Sequence, residues 1–279
     1  MKLGIIGGGR AAWAFGIGWL RAGESIAGVA LRAGSASGLP RLLGTSSLPE
    51  SDLIAASDLI LLALPDAALA EVAPRIAQRA AVETRLFHPS GSISSSVFGG
   101  RARAFTLHPL RSLPPVGEPV DLAGTLFVFE GEPQTREVAK EIATALGGTF
   151  AEIAESDKAL YHASAVLGSN GVAALLEASA DLFARCGLEG PAMRRATAGL
   201  ALSAVANWEG SRERFTGPVM RGEISAIERH LAALGASDRE RAELYRRLAI
   251  EIAEAVRQQG VQSSELTEII SFLRSTSFS

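Results

Sequence analysis

Cysteine is nearly absent from this 279-residue chain, in which Cys186 is the only one. A single cysteine cannot form an internal disulfide, and its scarcity excludes the cysteine-rich sites of structural zinc proteins. We therefore expect a reducing compartment and interpret Cys186 as a small buried apolar residue. Histidines and carboxylates show no spacing typical of a metal site, so no metal is expected.

An excess of one charge is also lacking. The chain has 27 basic and 30 acidic residues, a formal net charge of −3 and no long run of either sign. This balance disfavours nucleic acid and anionic lipid as partners, so an anionic ligand must be bound locally. The first residues show no charged segment followed by an apolar stretch and a cleavage site, and we expect a cytoplasmic protein.

One long stretch lacks charge altogether. It runs from Ala159 to Leu176 and is long enough to span a membrane, but it contains His162, Ser169 and Asn170. We interpret it as a buried helix and expect no membrane partner.

The first half of the chain alternates short β-rich segments with helical patterns. This order is typical of an α/β fold with a doubly wound parallel sheet. The segment before the third strand is rich in glycine, serine and proline, and we expect it to be loose. The predicted helices cover residues 10–22, 66–79 and 133–146. The predicted strands cover residues 2–6, 25–31, 58–64, 85–88, 104–107, 125–129 and 149–153.

The pattern changes after Glu155 to long segments rich in alanine and leucine, which predict an all-α domain of about five helices. Ser237 with Glu240 is expected to cap one helix, and Ser263 or Ser264 another. Trp208 is interpreted as a packing residue. The boundary between the two domains is expected near residue 154.

The strongest chemical motif is Gly7-Gly8-Gly9-Arg10-Ala11-Ala12, of the form GxGxxA, between the first predicted strand and its helix. Gly7 permits a tight turn, Gly9 lets a pyrophosphate approach the backbone, and Ala12 allows close packing. The helix would add free N–H groups and the positive end of its dipole. This context predicts a dinucleotide-binding site of the Rossmann type, the alternative being a plain glycine turn.

No carboxylate follows the second predicted strand, where the sequence reads Leu31-Arg32-Ala33-Gly34-Ser35. A carboxylate there would bind the ribose of NAD, whereas an arginine accommodates the extra phosphate of NADP. A charge-assisted hydrogen bond contributes about 1.5 to 3 kcal/mol, so Arg32, with Ser35 or Arg10, would favour NADP over NAD. The alternative is a solvated arginine.

Ligands of such sheets lie beyond the carboxyl ends of the strands. Leu64 ends one predicted strand and Pro65 follows it, and Ser90 lies just beyond His88 at the end of the next. We expect Leu64, Pro65 and Ser90 to border the nicotinamide, and His88 to give structural support. His108, at the end of a further strand, is a catalytic candidate.

A second polar cluster opens the helical half. Lys158 and His162 are four residues apart and share a helix face, with Asn170 beside the same stripe. Lys158 and His162 are catalytic candidates, because a lysine and a histidine facing a cofactor could give a proton to a carbonyl or imine. The alternative is a satisfied structural network.

Two arginines and one asparagine are candidates for binding the substrate. Arg111 follows His108, and Asn170 extends the helical stripe. Arg221, in the turn-forming segment 216–223, could hold a carboxylate through two parallel hydrogen bonds. A helix cap or an interface ion pair is the alternative for Arg221.

The segments KALYHASAVLGSN (158–170) and FTGPVMRGE (215–223) resemble a bacterial group of Rossmann-like proteins that carry a helical domain of unknown function. The whole chain resembles the 6-phosphogluconate dehydrogenase-like superfamily, which includes ketopantoate, pyrroline-5-carboxylate and prephenate reductases or dehydrogenases. This resemblance implies residues 1–154 as a Rossmann NAD(P)-binding domain and residues 155–279 as a helical substrate and dimerisation domain, hence a homodimer.

The chain departs from the named activities of this superfamily. Lys158 matches the helical lysine of ketopantoate reductase and hydroxyisobutyrate dehydrogenase, but His162 replaces their asparagine. His108 resembles the histidine of the prephenate dehydrogenase motif, which Arg111 does not continue. We expect an NADP-dependent oxidoreductase that transfers a hydride between NADP(H) and a small carbonyl or imine compound bearing a carboxylate. The alternative is a non-catalytic NADP(H)-binding sensor.

Overall fold

The computed structural model describes residues 1–210, 214–260 and 263–278. The chain divides into two compact units, Met1–Ser169 and Asn170–Ser279. The first unit is an α/β structure, and helices alone form the regular structure in the described part of the second. The predicted order, an α/β domain followed by an all-α domain, is confirmed.

One sheet organises the first unit, and its seven strands in the described chain follow the order β2-β1-β3-β4-β5-β6-β7. Because β2 and β3 lie on opposite sides of β1, the chain reverses direction across the sheet between β1 and β3. Such a switch point is where ligands bind in doubly wound sheets. The strands are β1 Leu3–Ile6, β2 Ile26–Ala30, β3 Leu59–Leu62, β4 Arg85–His88, β5 Ala104–Pro109, β6 Leu126–Gly131 and β7 Thr149–Glu152.

Two short helices of the first unit were not predicted. They are α2 and α3, and they lie in the segment expected to be loose. Leu39 and Leu53 are fully buried under them, so burial rather than local propensity explains these helices. The helices of this unit are α1 Arg10–Arg21, α2 Leu39–Leu42, α3 Glu50–Ala56, α4 Asp66–Arg79, α5 Arg136–Ala145 and α6 Lys158–Val166.

The sheet is not wholly parallel, which corrects the sequence prediction. Strands β5 and β6 are antiparallel, and their register pairs Thr106 with Glu130. The described residues 110–125 that join them contain no helix, whereas a parallel pair needs a long crossover connection. The reversal places the carboxylate of Glu130 beside Thr106.

Apolar side chains fill both faces of the sheet. Leu86 and Phe87, adjacent in β4, are buried in opposite layers, as the period of a strand requires. On the Phe87 face, the ring of Phe15 from α1 lies 5.7 Å from that of Phe87 and 5.9 Å from that of Phe127. The sheet is thus a rigid platform whose strand ends can hold a site.

The second unit has its own core, which includes Ile227, Leu231, Ala253 and Ile269. Its helices in the described residues are α7 Val172–Arg185, α8 Pro191–Gly210, α9 Ile224–Ser237, α10 Arg239–Gln258 and α11 Ser264–Ser275.

The helix caps of the second unit confirm one prediction and correct another. Asp238 caps α10 by accepting a hydrogen bond from Arg241 N at 3.0 Å, so the predicted cap by Ser237 is wrong. The hydroxyl of Ser237 is used instead within α9, where it donates to Ala233 O. Ser263 caps α11, which confirms the first of the two predicted alternatives, Ser263 or Ser264.

The uncharged stretch is exposed rather than buried. The helical segment Glu155–Arg185 has 31 residues, is long and apolar enough by length and composition to cross a membrane, and has 0% of its most apolar window buried. Its beginning is nevertheless fixed on the sheet, because the side chain of Lys158 is buried against Thr106. The first compact unit therefore continues past residue 154, to Ser169.

Two further expectations of burial are wrong. Cys186 is exposed. Trp208 is 62% exposed, and it lies on α8, which carries other exposed apolar side chains. Cys186 lies at the end of α7 and Trp208 lies on α8, both in the second unit. An apolar sequence pattern alone does not show which face of such a helix is covered.

His88, at the end of β4, is fully buried and gives the structural support expected of it. Its Nδ1 accepts a hydrogen bond from Ser90 N at 3.3 Å, so its proton lies on Nε2, 3.3 Å from the carbonyl of Ser94. Burial, aided by the charge of Lys158, lowers the pKa of His88 to about 3. The neutral ring thus fixes the loop after β4.

This neutral ring predicts a loss of stability in acid. The pKa of His88 is about 3 when folded against 6.5 for a free histidine. The stabilisation that the neutral His88 ring provides is complete above pH 6.5 and is lost between pH 6.5 and 3. Within this range His88 binds a proton in the unfolded chain but not in the folded protein. At about pH 5 the loss is about 2 kcal/mol.

His88→Asn keeps an acceptor near the position of Nδ1 but cannot titrate. We expect its free energy of unfolding, measured with urea, to fall less than that of wild type between about pH 7 and about pH 5, by about 2 kcal/mol. Parallel pH curves for the two proteins would contradict the burial of a neutral His88.

Candidate functional site

The glycine turn joins β1 to α1 at the switch point of the sheet. Gly7 has φ 115°, and a Cβ there would lie 2.2 Å from the carbonyl oxygen of Ala63, so a larger residue does not fit. A Cβ on Gly8 would lie 2.7 Å from the side chain of Ser37. At Gly9, by contrast, nothing lies within 4 Å of the Cβ position. The turn is thus closed at Gly7 and Gly8 and open at Gly9, where a pyrophosphate is expected.

The beginning of α1 is suited to an anion. In the described structure Gly9 caps it without a side-chain hydrogen bond, and its first turn has no acidic residue. Its free N–H groups and the positive end of the helix dipole are therefore unopposed. Ala12 is fully buried, as close packing of α1 requires, while Arg10 is exposed.

The segment after β2 lies beside this turn. The hydroxyl of Ser37, a residue that the sequence analysis missed, donates to the carbonyl of Gly8 at 3.3 Å. Ser35 N donates to the carbonyl of Arg32, which closes a turn between them. Arg32 is exposed, and in the described chain its guanidinium has no carboxylate within ion-pair distance. It is therefore free to meet a phosphate.

The end of β3 borders the glycine turn. Ala63 N donates to the carbonyl of Ile6 at 2.9 Å. The Cδ2 atom of Leu64 lies 3.4 Å from the Cβ position of Gly7, and Pro65 follows as the residue before α4. Leu64 and Pro65 are thus placed at the switch point.

Ser90 is held within its own loop. Its hydroxyl oxygen accepts hydrogen bonds from Ser92 N at 3.2 Å and Ile93 N at 3.1 Å. Ser92 in turn donates to the carboxylate of Asp66 at the start of α4. Ser90 therefore shapes the loop after β4.

A row of buried polar residues crosses the sheet beneath this loop. The register places His88 of β4 beside Thr106 of β5, and Thr106 beside Glu130 of β6. Lys158, from the first turn of α6, donates to Thr106 Oγ1 at 2.7 Å, and its Nζ lies 3.3 Å from Glu130 Oε2. The exposed fractions of Thr106, Glu130 and Lys158 are 0%, 3% and 3%.

The carboxylate of Glu130 is fully engaged. Besides Lys158, it accepts hydrogen bonds from Ser95 N at 3.0 Å and from Ser95 Oγ at 2.6 Å. Burial lowers the pKa of Lys158, although the attraction of Glu130 opposes this effect. Lys158 thus lies in the satisfied network that the sequence analysis held open as the alternative to catalysis.

A second group lies beyond Thr106 on the same strand. The Nδ1 atom of His108 lies 2.5 Å from the hydroxyl of Tyr161, and the two rings meet edge to face at 5.6 Å. A Cβ on Gly91 would lie 2.8 Å from Cδ2 of His162 and 3.0 Å from Nε2 of His108. Both imidazoles therefore approach Gly91, which admits them because it has no side chain.

Burial sets the protonation of this group. It lowers the pKa of His108 to about 4, and the charges of Lys158 and His162 act in the same direction. Burial also raises the pKa of Tyr161 to about 12. Near pH 7 the pair is therefore a neutral imidazole and a neutral phenol.

The predicted substrate residues are not all in one place. Arg111, exposed just after β5, belongs to the first unit. Asn170, exposed in a π-helical turn at Leu167–Gly171, belongs to the second. Arg221, also in the second unit, binds Glu223 through Nε at 2.7 Å and Nη2 at 3.0 Å. That contact corresponds to the ion-pair alternative for Arg221.

The sequence contained signals for two residues that its analysis missed. Glu130 is a carboxylate within a buried apolar strand, where it needs a cationic partner. Tyr161 follows Lys158 by three residues and so shares its helix face. Gly91 had no such signal, since its importance depends on where two distant rings meet.

The first unit thus gathers two kinds of binding group on one sheet edge. Strands β1, β3, β4 and β5 are mutually parallel, so Gly9 after β1 and His108 at the end of β5 lie on the same edge. The turn at Gly9 offers N–H groups to an anion, and His108 with His162 offers imidazoles. Together they can bind a dinucleotide and a polar group that reacts with it.

Comparisons with known proteins match two segments of the chain. Residues 1–108 match the Rossmann-like domain family, and residues 125–252 match a domain of unknown function, DUF2520. A comparison with curated proteins gives no significant match.

Solved structures share the fold at low sequence identity. A protein of Bacteroides fragilis assigned as an NADP oxidoreductase is 22% identical, covers 91% of this chain and 98% of its own, and has a TM-score of 0.73. Protein TM1727 of Thermotoga maritima is 22% identical, with coverage of 98% and 99% and a TM-score of 0.67.

A reductive aminase of Aspergillus terreus, in complex with NADPH and ethyl-5-oxohexanoate, is 19% identical over 98% of this chain and 92% of its own, with a TM-score of 0.61. Similarity at this level shows the fold alone. Two segments of the chain, residues 1–108 and 125–252, therefore match known domain families, and the likeness to the solved structures is one of fold.

Proposed function

We propose that the protein is an NADP(H)-dependent oxidoreductase acting on a small carbonyl or imine compound that bears a carboxylate. The observation that carries this proposal is the open anion site at Gly9 on the same sheet edge as His108 and His162. The fold is shared with a protein assigned as an NADP oxidoreductase and with a reductive aminase in complex with NADPH, which supports the cofactor class.

The residues of the glycine turn fit a dinucleotide. In this proposal Gly7, Gly8, Gly9 and the first N–H groups of α1 bind the pyrophosphate. Arg32, aided by Arg10, binds the ribose phosphate, while Leu64, Pro65 and the loop of Ser90 border the nicotinamide. When bound, NADPH supplies the hydride.

The imidazoles provide the polar contacts of the reaction. Reduction of a carbonyl adds a hydride to carbon and a proton to oxygen, so a proton donor is needed at this edge. We propose that His108 contacts the reacting oxygen and that His162 is the proton donor, with Arg111 near the substrate carboxylate. Asn170 and Arg221 are further substrate candidates in the second unit.

We propose that Lys158 acts by fixing α6 on the sheet. Two bonds of its ammonium, to Thr106 and Glu130, are made within the protein. Since Tyr161 and His162 follow within one turn, the position of Lys158 determines where both rings lie. The competing role for Lys158 is the one expected from the sequence, in which it donates a proton to the substrate.

The helical domain is proposed to form a homodimer. Large apolar side chains on α8 are exposed, among them Leu200 at 61%, Leu202 at 70% and Trp208 at 62%. Exposed apolar patches of this kind mark interaction surfaces, and the superfamily resemblance supplies a second copy of the chain as the partner.

The first prediction of the proposed function concerns the cofactor. We expect tight NADPH binding, followed by its fluorescence, and weaker NADH binding. Arg32→Ala should weaken NADPH binding about tenfold to a hundredfold and leave NADH nearly unchanged, because the lost bond is to the extra phosphate.

Lys2→Ala is the matched control for this titration, since it removes one positive charge at the opposite end of β1. It should leave both affinities unchanged. Absence of binding by either nucleotide would reduce the glycine motif to a turn, whereas binding without oxidation of NADPH by any carbonyl or imine would favour the sensor.

The second prediction concerns the buried ion pair. Lys158→Met leaves the carboxylate of Glu130 buried without its partner and should cost about 3 to 5 kcal/mol of unfolding free energy. The double variant Lys158→Met/Glu130→Gln removes both charges and should recover most of this loss in urea unfolding. We expect turnover to recover with stability, to within about tenfold of wild type. A stable but inactive double variant would instead identify Lys158 as the proton donor.

The third prediction concerns the dimer. Wild type should sediment as a dimer, and Leu202→Glu as a monomer, because a carboxylate on the apolar face of α8 would be buried at the interface. Val82→Glu, at a side chain that is 77% exposed in the first unit, should remain a dimer. A dimeric Leu202→Glu protein would exclude this face.

A further inference from the structure

We propose that Tyr161 is a positioning residue that holds His108 in one tautomer, with the proton on Nε2 and directed toward Gly91. The proposal rests on the proposed function for its catalytic meaning, although the tautomer itself does not depend on it. No role was assigned to Tyr161 from the sequence.

The contact between the two rings is short and directional. The phenol oxygen of Tyr161 lies 2.5 Å from Nδ1 of His108, within one edge-to-face pair. Both rings are fixed by other elements, since His108 lies in β5 and Tyr161 lies one turn after the buried Lys158. The hydrogen bond is therefore held by the sheet and by α6 together.

The direction of this hydrogen bond follows from the partners available. In the described residues the phenol hydroxyl has no other hydrogen-bond partner, and we assign it as the donor and Nδ1 as the acceptor. A neutral imidazole that accepts at Nδ1 carries its proton on Nε2. The low pKa of His108 and the high pKa of Tyr161 are consistent with two neutral rings.

The Nε2 edge of His108 is free to meet a ligand. Within the described part of the chain this nitrogen has no hydrogen-bond partner, and it is not among the enclosed polar atoms that lack one. It lies 3.0 Å from the Cβ position of Gly91, in the space that a side chain would fill. A donor N–H is thus presented where the loop after β4 meets α6.

This donor narrows the substrate class. An N–H group at Nε2 is matched by an acceptor, such as a carbonyl oxygen or the nitrogen of a neutral imine. An iminium cation does not match this N–H group, because its reacting nitrogen has no lone pair that can accept a hydrogen bond. We therefore expect the bound reactant to be a carbonyl compound or a neutral imine.

The test is nitrogen NMR of the protein labelled at its histidines, of which the chain has 4. Signals are assigned with a His→Gln variant at each position. In wild type we expect His108 to show a protonated Nε2 and an unprotonated Nδ1. In Tyr161→Phe, which keeps the ring but removes the hydroxyl, we expect a mixture of the two tautomers.

The chain supplies a matched control in its second unit. The hydroxyl oxygen of Tyr245 lies 2.8 Å from Nδ1 of His230, and these two rings also meet edge to face. Tyr245→Phe should change the signals of His230 alone and leave those of His108 as in wild type. A proton on Nδ1 of His108 in wild type, or unchanged His108 signals in Tyr161→Phe, would overturn the proposal.

Kinetics give a second, separate readout. Tyr161→Phe should lower kcat and kcat/KM alike, by about fivefold to tenfold, while NADPH binding stays as in wild type. Tyr245→Phe should leave both constants unchanged. If no substrate turns over, the proposed function fails, yet the NMR result still decides the tautomer; if the NMR result is negative in an active enzyme, only the role of Tyr161 fails.

Discussion

The buried ion pair between Lys158 and Glu130 is the constraint on which the site depends. Two charges with exposed fractions near zero are stable in the sheet because they meet each other and because Thr106 and Ser95 satisfy their remaining hydrogen bonds. The pair fixes the first turn of α6 over β5, and the spacing of a helix then places Tyr161 and His162 one turn further along. The position of the imidazole group at Gly91 therefore depends on a contact between protein groups alone.

Local patterns were sufficient to predict the glycine turn and the helix that follows it. The turn at Gly7 to Gly9 and the helix after it are encoded within a few residues, and their chemistry comes from backbone N–H groups that any sequence of this shape exposes. The predicted bounds of α4 and β4 agree with the structure, since the alternation of apolar runs with helical patterns is a local signal. His108 could be identified as a candidate because ligands of such sheets lie beyond the carboxyl ends of the parallel strands.

Long-range pairing determined the rest and could not be predicted from one sequence. Glu130 reaches Thr106 only because β6 is antiparallel to β5, which no local pattern distinguishes from a parallel strand. Gly91 matters because two rings converge on it. They belong to His108 in β5, 17 residues later in the chain, and to His162 in α6, 71 residues later. The two unpredicted short helices, α2 and α3, form for the same reason: their apolar side chains are covered by distant parts of the fold.

The two halves of the site therefore constrain function unequally. A turn of backbone N–H groups recognises a pyrophosphate in many oxidoreductases and carries no information about the second reactant. Side chains carry that information. In the proposed site they are imidazoles and a phenol, whereas the side chain of Lys158 is buried against the sheet. A lysine that already has two protein partners would have to break both bonds to reach a substrate, whereas the Nε2 edge of His108 needs no rearrangement. The identity of the substrate is for this reason a question about His108, Tyr161 and His162 before it is a question about the fold.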